Sequence, residues 1–384
     1  MLLSIVIYGF LLVIMSSLAH KADVKNKKDI YIFGASLIYA IVFGLRFGVG
    51  RDHPSYLNNY LAYLKGTPPV DNDEFGFAFL QELFSGLNLH PIVFFGFISF
   101  VEIFIFYSVL KNNRKYPLLL PFTILYILSA AWLPFSSGLR QALAFCFFML
   151  ALNYTNVKGF LKYFILVFIA FSLHKSAAVL VIFYPIFLIK KEWFRRPIIE
   201  LLLYGVAVVC MVSHVFESLL FSLDTQFAAV ATFLNYDNYL DGGFAELIYQ
   251  KDDGIGLGQL IYISLYAIFI AYSGKVKRYF NDDYLSKSYD LFFIGSLMKS
   301  LFNGSNLFSR FTWYFEYFYL IVGAYILVYL YKYYKRWFYC VLLLVSLIFA
   351  AILYRGDENS SYYYFYWELD RYKTEHVGKD VKFL

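Results

Sequence analysis

The stretch Pro91-Ile-Val-Phe-Phe-Gly-Phe-Ile-Ser-Phe-Val-Glu-Ile-Phe-Ile-Phe-Tyr-Ser-Val-Leu110 decides the fold class of this chain. A helix of about twenty apolar residues spans the hydrocarbon core of a bilayer, and this stretch has that length. Glu102 is its one charged residue. We therefore predict a transmembrane helix here and read the rest of the chain for the same pattern.

Apolar segments of similar length recur along the chain and predict an all-α fold. They lie at 2–19, 30–46, 117–132, 139–154, 160–173, 175–190, 197–216, 258–273, 288–303, 312–331 and 337–354. Together with residues 91–110 they indicate a polytopic transmembrane helix bundle of about 12 spans. The segment 74–89 is apolar but short, and it carries Glu74 and Glu82. We expect an extra re-entrant or in-plane helix there rather than a further span.

The composition excludes a water-soluble fold. The chain has 384 residues, of which 60% are hydrophobic and 16% are charged, whereas soluble domains carry about 25% charged residues. Because one bundle uses the whole length, we expect a single transmembrane domain over residues 1–354. We further expect outer loops near 46–74 and 217–257, and an aromatic and basic C-terminal tail, 355–384, outside the membrane.

The basic residues between the spans predict the orientation of the chain. More than half of the 33 Lys and Arg residues lie in every second loop, which the positive-inside rule places on the cytoplasmic side. These loops hold Lys21, Lys25, Lys27, Lys28, Lys111, Arg114, Lys115, Lys158, Lys162, Lys190, Lys191, Arg195, Arg196, Lys275, Lys277, Arg278, Lys287, Lys332, Lys335 and Arg336. An even number of spans then places both termini outside. Because this pattern explains the net charge of +6, we expect no nucleic-acid partner.

A smaller set of charged residues does not follow this rule. In the predicted topology the outer ends of the spans carry Arg46, Arg51, Asp52, Arg140, His174 and Arg310. A single Arg at a span edge can be an anchor, a lone His in a turn can be structural, and Asp52-His53-Pro54 fits turn chemistry. Anchoring arginines, however, prefer the cytoplasmic face. We therefore interpret the four outer arginines as an anion site.

The residue types in this set predict a phosphate ligand and a proton transfer. A guanidinium group donates two parallel hydrogen bonds to a phosphate and keeps its charge. A phosphate at membrane level indicates a lipid phosphate or pyrophosphate, and His174 and Asp52 are the candidates for catalytic proton transfer. There is no Walker A loop and no H-E-x-x-H zinc motif. Asp71-Asn-Asp73 is the nearest match to a metal-binding D-x-D motif, and we favour a solvated loop there, so we expect no metal and no cofactor.

Four short motifs resemble those of a known family. The run Arg46-Phe-Gly-Val-Gly-Arg-Asp-His-Pro-Ser-Tyr56 resembles the R-x-x-V-G-x-D-x-x-x-Y signature of EpsG-like, Wzy-type polymerases of bacterial surface polysaccharides. The other three are Gly138-Leu-Arg-Gln-Ala-Leu143, Phe171-Ser-Leu-His-Lys-Ser-Ala177, which is similar to the family's H-x-S-A turn, and Asn306-Leu-Phe-Ser-Arg310 before an aromatic span. Arg51 and His53 stand where family members often have Thr and an aromatic residue.

The resemblance implies a fold, a reaction and a location. The chain would be a GT-C-like, multi-pass protein of the bacterial plasma (inner) membrane. At its outer, periplasmic face it would transfer a glycan from undecaprenyl pyrophosphate to a sugar hydroxyl of the next lipid-linked repeat unit, without a metal and alongside a chain-length regulator protein. The implied roles are pyrophosphate binding by Arg46, Arg51, Arg140 and Arg310, proton transfer by His174 or Asp52, and glycan binding by Tyr56, Tyr236 and Tyr239.

Two other functional classes fit part of the sequence. A flippase for the same lipid-linked units would also have many spans and a cationic cavity, but it needs charges at mid-depth, and Glu102 and Lys299 are the main candidates. A glycan ligase or a membrane acyltransferase is the other alternative, because ligases also use outer Arg and His residues on lipid pyrophosphates.

Overall fold

The structure is a computed structural model, and it describes residues 1–24, 28–68, 74–112, 116–189, 193–215, 256–303, 306–356 and 360–368. Within these ranges the helices are α1 (Leu2–Val24), α2 (Lys28–Gly44), α3 (His53–Leu64), α4 (Phe75–Gly86), α5 (Pro91–Asn112), α6 (Leu119–Leu128), α7 (Trp132–Ser137), α8 (Leu139–Ala151), α9 (Phe160–Leu173), α10 (Leu180–Leu188), α11 (Pro197–Val212), α12 (Leu257–Phe280), α13 (Asp283–Leu301), α14 (Asn306–Glu316), α15 (Tyr319–Tyr333) and α16 (Lys335–Tyr354). The strands are β1 (Arg46–Phe47) and β2 (Tyr364–Phe365), and 3-10 turns lie at Leu152–Tyr154, Val157–Gly159, Lys175–Val179 and Tyr366–Glu368. The predicted all-α class is confirmed.

Some of the helices are long and apolar enough to cross a bilayer. Within the described residues, five helical segments meet both criteria: Leu2–Val24, Pro91–Asn112, Leu257–Phe280, Phe308–Tyr333 and Lys335–Tyr354. Shorter apolar helices cover Asp29–Gly44, Leu119–Leu128, Leu139–Tyr154, Lys175–Leu188 and Pro197–Val212. The chain is thus a helical membrane protein, and the count of about 12 spans stays a prediction.

Two segments predicted as loops are helical in the structure. Helix α3 occupies much of the predicted outer loop 46–74, because Asp52 followed by Pro54 is a turn signal that also starts helices. The basic segment 275–278, predicted as an inner loop, forms the end of α12, since Lys and Arg are good helix formers. Helix α4 has 12 residues and is only about 18 Å long, which is shorter than the hydrocarbon core.

The chain divides into two compact units, and the first comprises Met1–Ile189 and Leu342–Leu384. Close packing of α2 against α5 is possible because two glycines face each other there. A Cβ atom on Gly44 would lie 2.7 Å from the carbonyl oxygen of Ile92 and 3.1 Å from the Cα atom of Gly96. Helix α1 packs against α2 and α6, and α8 packs against α5 and α9. Helix α8 carries Arg140, and α9 ends one residue before His174.

The C-terminal segment of unit 1 fixes the turn that leads into α3. Strand β2 pairs antiparallel with β1, with Phe365 opposite Arg46. The hydroxyl of Tyr363 donates to the carbonyl of Val42 at 2.6 Å, and the amide of Gly50 donates to the carbonyl of Ser360 at 2.9 Å. Tyr363 is buried, and its backbone amide also donates to Oγ of Ser4 at 2.9 Å. The rest of the predicted tail, 369–384, lies outside the described residues.

The second unit comprises Lys190–Val341. In it α11 packs against α12 and α13, α13 packs against α14, and α15 packs against α12 and α13. A Cβ atom on Gly295 would lie 2.3 Å from the backbone nitrogen of Glu316, so only glycine permits this approach of α13 to the end of α14. Asp282 caps α13 through the amide of Tyr284 and accepts a hydrogen bond from the hydroxyl of Tyr325 at 2.8 Å. These contacts hold α13 against α14 and α15. Helix α13 carries Lys299, and α14 ends with Glu316.

Candidate functional site

Glu74 stands at the start of α4 and is the centre of the candidate site. Glu74 is only 6% exposed. Gly76, two residues later, allows α4 to start close to α9. A Cβ atom on Gly76 would lie 2.3 Å from Oγ of Ser172 and 2.9 Å from the carbonyl carbon of Ser172. The start of α4 therefore lies directly on the end of α9, and Glu74 reaches the residue that follows α9.

His174 follows α9 and contacts Glu74 from the side of that helix. It has an extended backbone between α9 and the 3-10 turn Lys175–Val179. Its ring Nδ1 hydrogen-bonds with Oε1 of Glu74, and the amide of Lys175 donates to the same oxygen at 3.4 Å. The other ring nitrogen, Nε2, is buried, and it has no hydrogen-bond partner among the residues that the structure describes.

Arg140 approaches Glu74 from the first turn of α8. Its Nη1 lies 2.7 Å from Oε2 of Glu74, so the carboxylate is shared between this arginine and His174. Its Nε donates to the hydroxyl of Tyr56 at 3.4 Å, and the guanidinium carbon lies 5.5 Å from the centre of the Tyr56 ring. The Arg140 side chain is 38% exposed whereas that of Glu74 is 7% exposed, so the arginine extends from the buried pair towards the surface.

The electrostatics keep Glu74 ionised. Burial alone raises the pKa of Glu74, but the hydrogen bond and charge of His174, the charge of Arg140 and the amide of Lys175 together bring it below its ordinary value. For Tyr56 the larger effect is burial, which raises its pKa despite the opposing charge of Arg140. The site is therefore an anionic carboxylate between a histidine and an arginine, with a neutral tyrosine beside the arginine.

Arg51 and Asp52 lie in the turn before α3, next to this cluster. Gly50 has a φ of +91° and approaches the end of α7 so closely that a Cβ atom would lie 2.7 Å from the Ser136 carbonyl oxygen. The amide of Arg51 donates to Oγ of Ser137 at 3.1 Å, and the Arg51 side chain is exposed. Asp52 is exposed and lies within electrostatic range of Arg140. The structure thus brings Arg51, Asp52, Tyr56, Arg140 and His174 to one region.

Arg46 and His53 have a different environment, although they belong to the same sequence motif. Arg46 is 1% exposed, and it donates to the carbonyls of Phe43 at 2.7 Å and Val49 at 3.3 Å. His53 is fully buried, and its ring centre lies 4.8 Å from that of Phe95. Burial first, and then the charge of Arg46, lower the pKa of His53 well below its ordinary value. Arg46 thus closes the end of α2, and His53 fills the core as a neutral ring.

The remaining predicted site residues lie elsewhere in the chain. Arg310 is half-buried on α14 in unit 2. Tyr236 and Tyr239 lie outside the described residues.

Comparison with known families settles the broader class. A sequence profile of the EpsG family matches residues 29–367. The chain belongs to the EpsG family. EpsG is a polysaccharide polymerase-like family, so the resemblance predicted from the motifs is confirmed, and this EpsG-family chain is a membrane protein with a polymerase-like role in polysaccharide biosynthesis. No curated protein and no solved structure matches the chain.

Sequence reasoning missed Glu74 as a candidate functional residue of this EpsG-family chain. We interpreted its charge only as a sign that 74–89 does not span the membrane. The signal that could have found it is the same charge, because an acidic residue beside an apolar helix needs a partner. His174 is 100 residues away in the sequence, so spacing alone could not identify it as that partner.

Proposed function

We propose that this protein is a polysaccharide polymerase of the bacterial plasma membrane. It would transfer a glycan from undecaprenyl pyrophosphate to a sugar hydroxyl of another lipid-linked repeat unit, at the outer face of the membrane and with both termini outside. The single observation that supports this most is the carboxylate of Glu74, which contacts His174 on one side and Arg140 on the other. A base and a cation at one place are what this transfer needs.

His174 is the proposed base. A histidine whose Nδ1–H donates to a carboxylate carries its free lone pair on Nε2, and the carboxylate stabilises the imidazolium that forms when Nε2 takes a proton. In this role His174 removes the proton of the acceptor hydroxyl, and the hydroxyl oxygen forms a bond to the anomeric carbon of the donor sugar. The bond from that carbon to the pyrophosphate oxygen breaks, and the electron pair leaves with the pyrophosphate. Glu74 holds the ring and does not itself take the proton.

Arg140 and Arg51 are the proposed pyrophosphate ligands. Charge develops on the leaving pyrophosphate as the bond breaks, and a fixed guanidinium group stabilises that charge. Arg140 suits this role because Glu74 and Tyr56 fix its orientation while its side chain remains partly exposed. Since arginines would supply the positive charge, we propose that the reaction needs neither a metal nor a cofactor. We propose that Asp52, which lies within electrostatic range of Arg140, orients this arginine rather than acting as the base.

The other parts of the proposal rest on the sequence and on family membership. Tyr56 stands beside Arg140, where it could contact the first sugar of the donor, and Tyr236 and Tyr239 are proposed for the same glycan. Arg310 remains a sequence-based prediction for the pyrophosphate. A GT-C-like fold and a separate chain-length regulator as partner are also proposed on these grounds alone.

The structure offers less support for a flippase. Each of the two charges that we predicted at mid-depth contacts a group of its own unit. Glu102 is 2% exposed and accepts a hydrogen bond from the hydroxyl of Tyr126. Lys299 lies 3.5 Å from the carboxylate of Glu316. A transfer reaction at Glu74 and His174 therefore remains the better proposal.

The deciding experiment uses a strain that lacks this chain. We expect its surface to carry single repeat units and no polymer, and we expect the wild-type chain to restore the polymer ladder on a gel. His174→Ala and Arg140→Ala, at membrane levels equal to wild type, should not restore it. Loss of all chain lengths, including single units on the final acceptor, would indicate a ligase instead. Absence of lipid-linked units from the outer leaflet would indicate a flippase, and normal ladders from both variants would refute the site.

A further inference from the structure

Unit 2 contains a second group of polar and aromatic side chains around Glu316. The Glu316 carboxylate lies at the end of α14 and is 8% exposed. Its Oε1 accepts a hydrogen bond from the hydroxyl of Tyr266 at 3.0 Å, and its Oε2 lies 3.5 Å from Nζ of Lys299. The tyrosines Tyr204, Tyr262, Tyr266 and Tyr317 all lie within electrostatic range of this carboxylate.

One side of this group is open. The Lys299 side chain is 54% exposed, and its 3.5 Å separation from Glu316 is longer than the roughly 2.7–2.9 Å of a charge-assisted hydrogen bond. Where the start of α12 meets the end of α13, the amide nitrogen of Gln259 donates to Oδ1 of Asn303 at 3.2 Å. Gln259 lies one turn before Tyr262 on α12, and Asn303 follows Lys299 by one turn. This edge therefore carries the Lys299–Glu316 ion pair, the Gln259–Asn303 amide pair and the half-buried ring of Tyr262.

We propose that this group is a saccharide-binding site for neutral sugar residues of the lipid-linked repeat unit, an inference that rests on the proposed function. Sugar hydroxyls donate to a carboxylate and to amide oxygens, and they accept from ammonium and amide N–H groups, which are the groups present here. The electron-rich face of a tyrosine ring is complementary to the C–H face of a sugar ring.

The same charges disfavour a phosphate ligand. A phosphate beside Lys299 would lie next to the buried Glu316 carboxylate, and like charges repel strongly where water is partly excluded. Glu74 does not impose this limit in unit 1, because its two oxygens already contact the ring of His174 and the guanidinium group of Arg140. We therefore assign the glycan, and not the pyrophosphate, to the Glu316 group.

The test measures binding of the purified full chain, in lipid nanodiscs, to oligosaccharides released by mild acid from the host strain's own surface polysaccharide. Glu316→Gln keeps the side-chain volume but removes the charge, and it should weaken binding about tenfold or more in a calorimetric titration. Glu200→Gln is the matched control, because Glu200 is also buried in unit 2 and also accepts a tyrosine hydroxyl, that of Tyr289. It should bind the fragments as wild type does.

Three outcomes would overturn the proposal. They are failure of the wild-type chain to bind the fragments, equal binding by Glu316→Gln and wild type, and equal weakening by Glu316→Gln and Glu200→Gln with matching losses of thermal stability. Glu316→Gln should weaken binding by the same factor in the wild-type chain and in the His174→Ala chain, which separates this site from the one in unit 1. If the strain that lacks the chain still makes polymer, the proposed polymerase function fails, whatever the fragments do.

Discussion

Unit 1 holds two neighbouring pairs of arginine and histidine that differ in what surrounds them. Arg46 and His53 are both buried, and their surroundings are backbone carbonyls and aromatic rings. Arg140 and His174 share a carboxylate, that of Glu74, and the arginine is partly exposed. The same residue types therefore serve packing in one place and are available for chemistry in the other. A buried carboxylate makes the difference, because it fixes the tautomer of the histidine and the direction of the arginine at once.

The largest expected effect comes from removing that carboxylate charge. Glu74→Gln keeps the shape but weakens both contacts, so His174 loses its orienting group. We expect the rate of polymer formation to fall by about 10²–10⁴-fold, which is the usual contribution of an oriented proton-transfer group. The rate of repeat-unit consumption by purified protein measures this change.

The control for Glu74→Gln lies on the same helix. Glu82 is exposed on α4, so Glu82→Gln should leave the rate within about twofold of wild type, as surface substitutions usually do. Equal rates for both variants would show that Glu74 has no part in the reaction.

The second largest effect is expected when the guanidinium group of Arg140 is replaced by a different cation. Arg140→Lys keeps the charge but removes the planar fork that contacts both Glu74 and Tyr56. We expect a loss of about 10²-fold in the polymerisation rate, typical of a removed transition-state donor, with little change in the thermal unfolding midpoint. A large drop in the midpoint with an unchanged rate per folded molecule would assign Arg140 to stability instead.

The opposite result is expected for the Arg46 pair. Arg46→Lys removes hydrogen bonds from a charged group to the carbonyls of Phe43 and Val49. We expect a loss of about 1.5–3 kcal/mol in the free energy of unfolding, while the rate per folded molecule stays within about threefold of wild type. A hundredfold loss of rate in folded protein would instead place Arg46 in the pyrophosphate site, as the sequence alone predicted.

The smallest effect is a pH dependence of stability that His53 should cause. The pKa of His53 is lowered in the folded state, so below about pH 6.5 the unfolded chain takes up a proton that folded His53 does not. Stability should therefore fall from about pH 6.5 downwards, by at most about 1.4 kcal/mol per pH unit. Glu74, whose pKa is also lowered, loses its contribution only below about pH 4.3, so it does not cause the change in the unfolding midpoint between pH 7 and 5.

Replacing the ring tests this assignment. His53→Phe should flatten the pH dependence between pH 7 and 5, whereas His20→Gln, a change at an exposed histidine on α1, should leave it as in wild type. An unchanged slope in His53→Phe would show that another group titrates there.

The all-α fold class could be predicted from the sequence, but the boundaries of the helices could not. Apolar runs such as 91–110 predict helices because hydrocarbon leaves the backbone no other hydrogen-bond partners. The turn signal at Asp52 and Pro54 did not distinguish a loop from the start of α3, because both begin with the same backbone angles. The basic residues near 277 continue a helix that composition alone ended too early.

By itself the sequence determined that this is a helical membrane protein of the EpsG family. The length of the apolar runs and the order of the short motifs can be recognised without knowing which residues are in contact. It also picked out Arg140 and His174. Only the tertiary structure decided that Glu74 joins them, that Arg46 is buried away from them, and that Glu316 meets Lys299. The physical reason is that these contacts connect residues far apart in the chain, and helix packing at positions such as Gly76 and Gly295 sets which charges can meet.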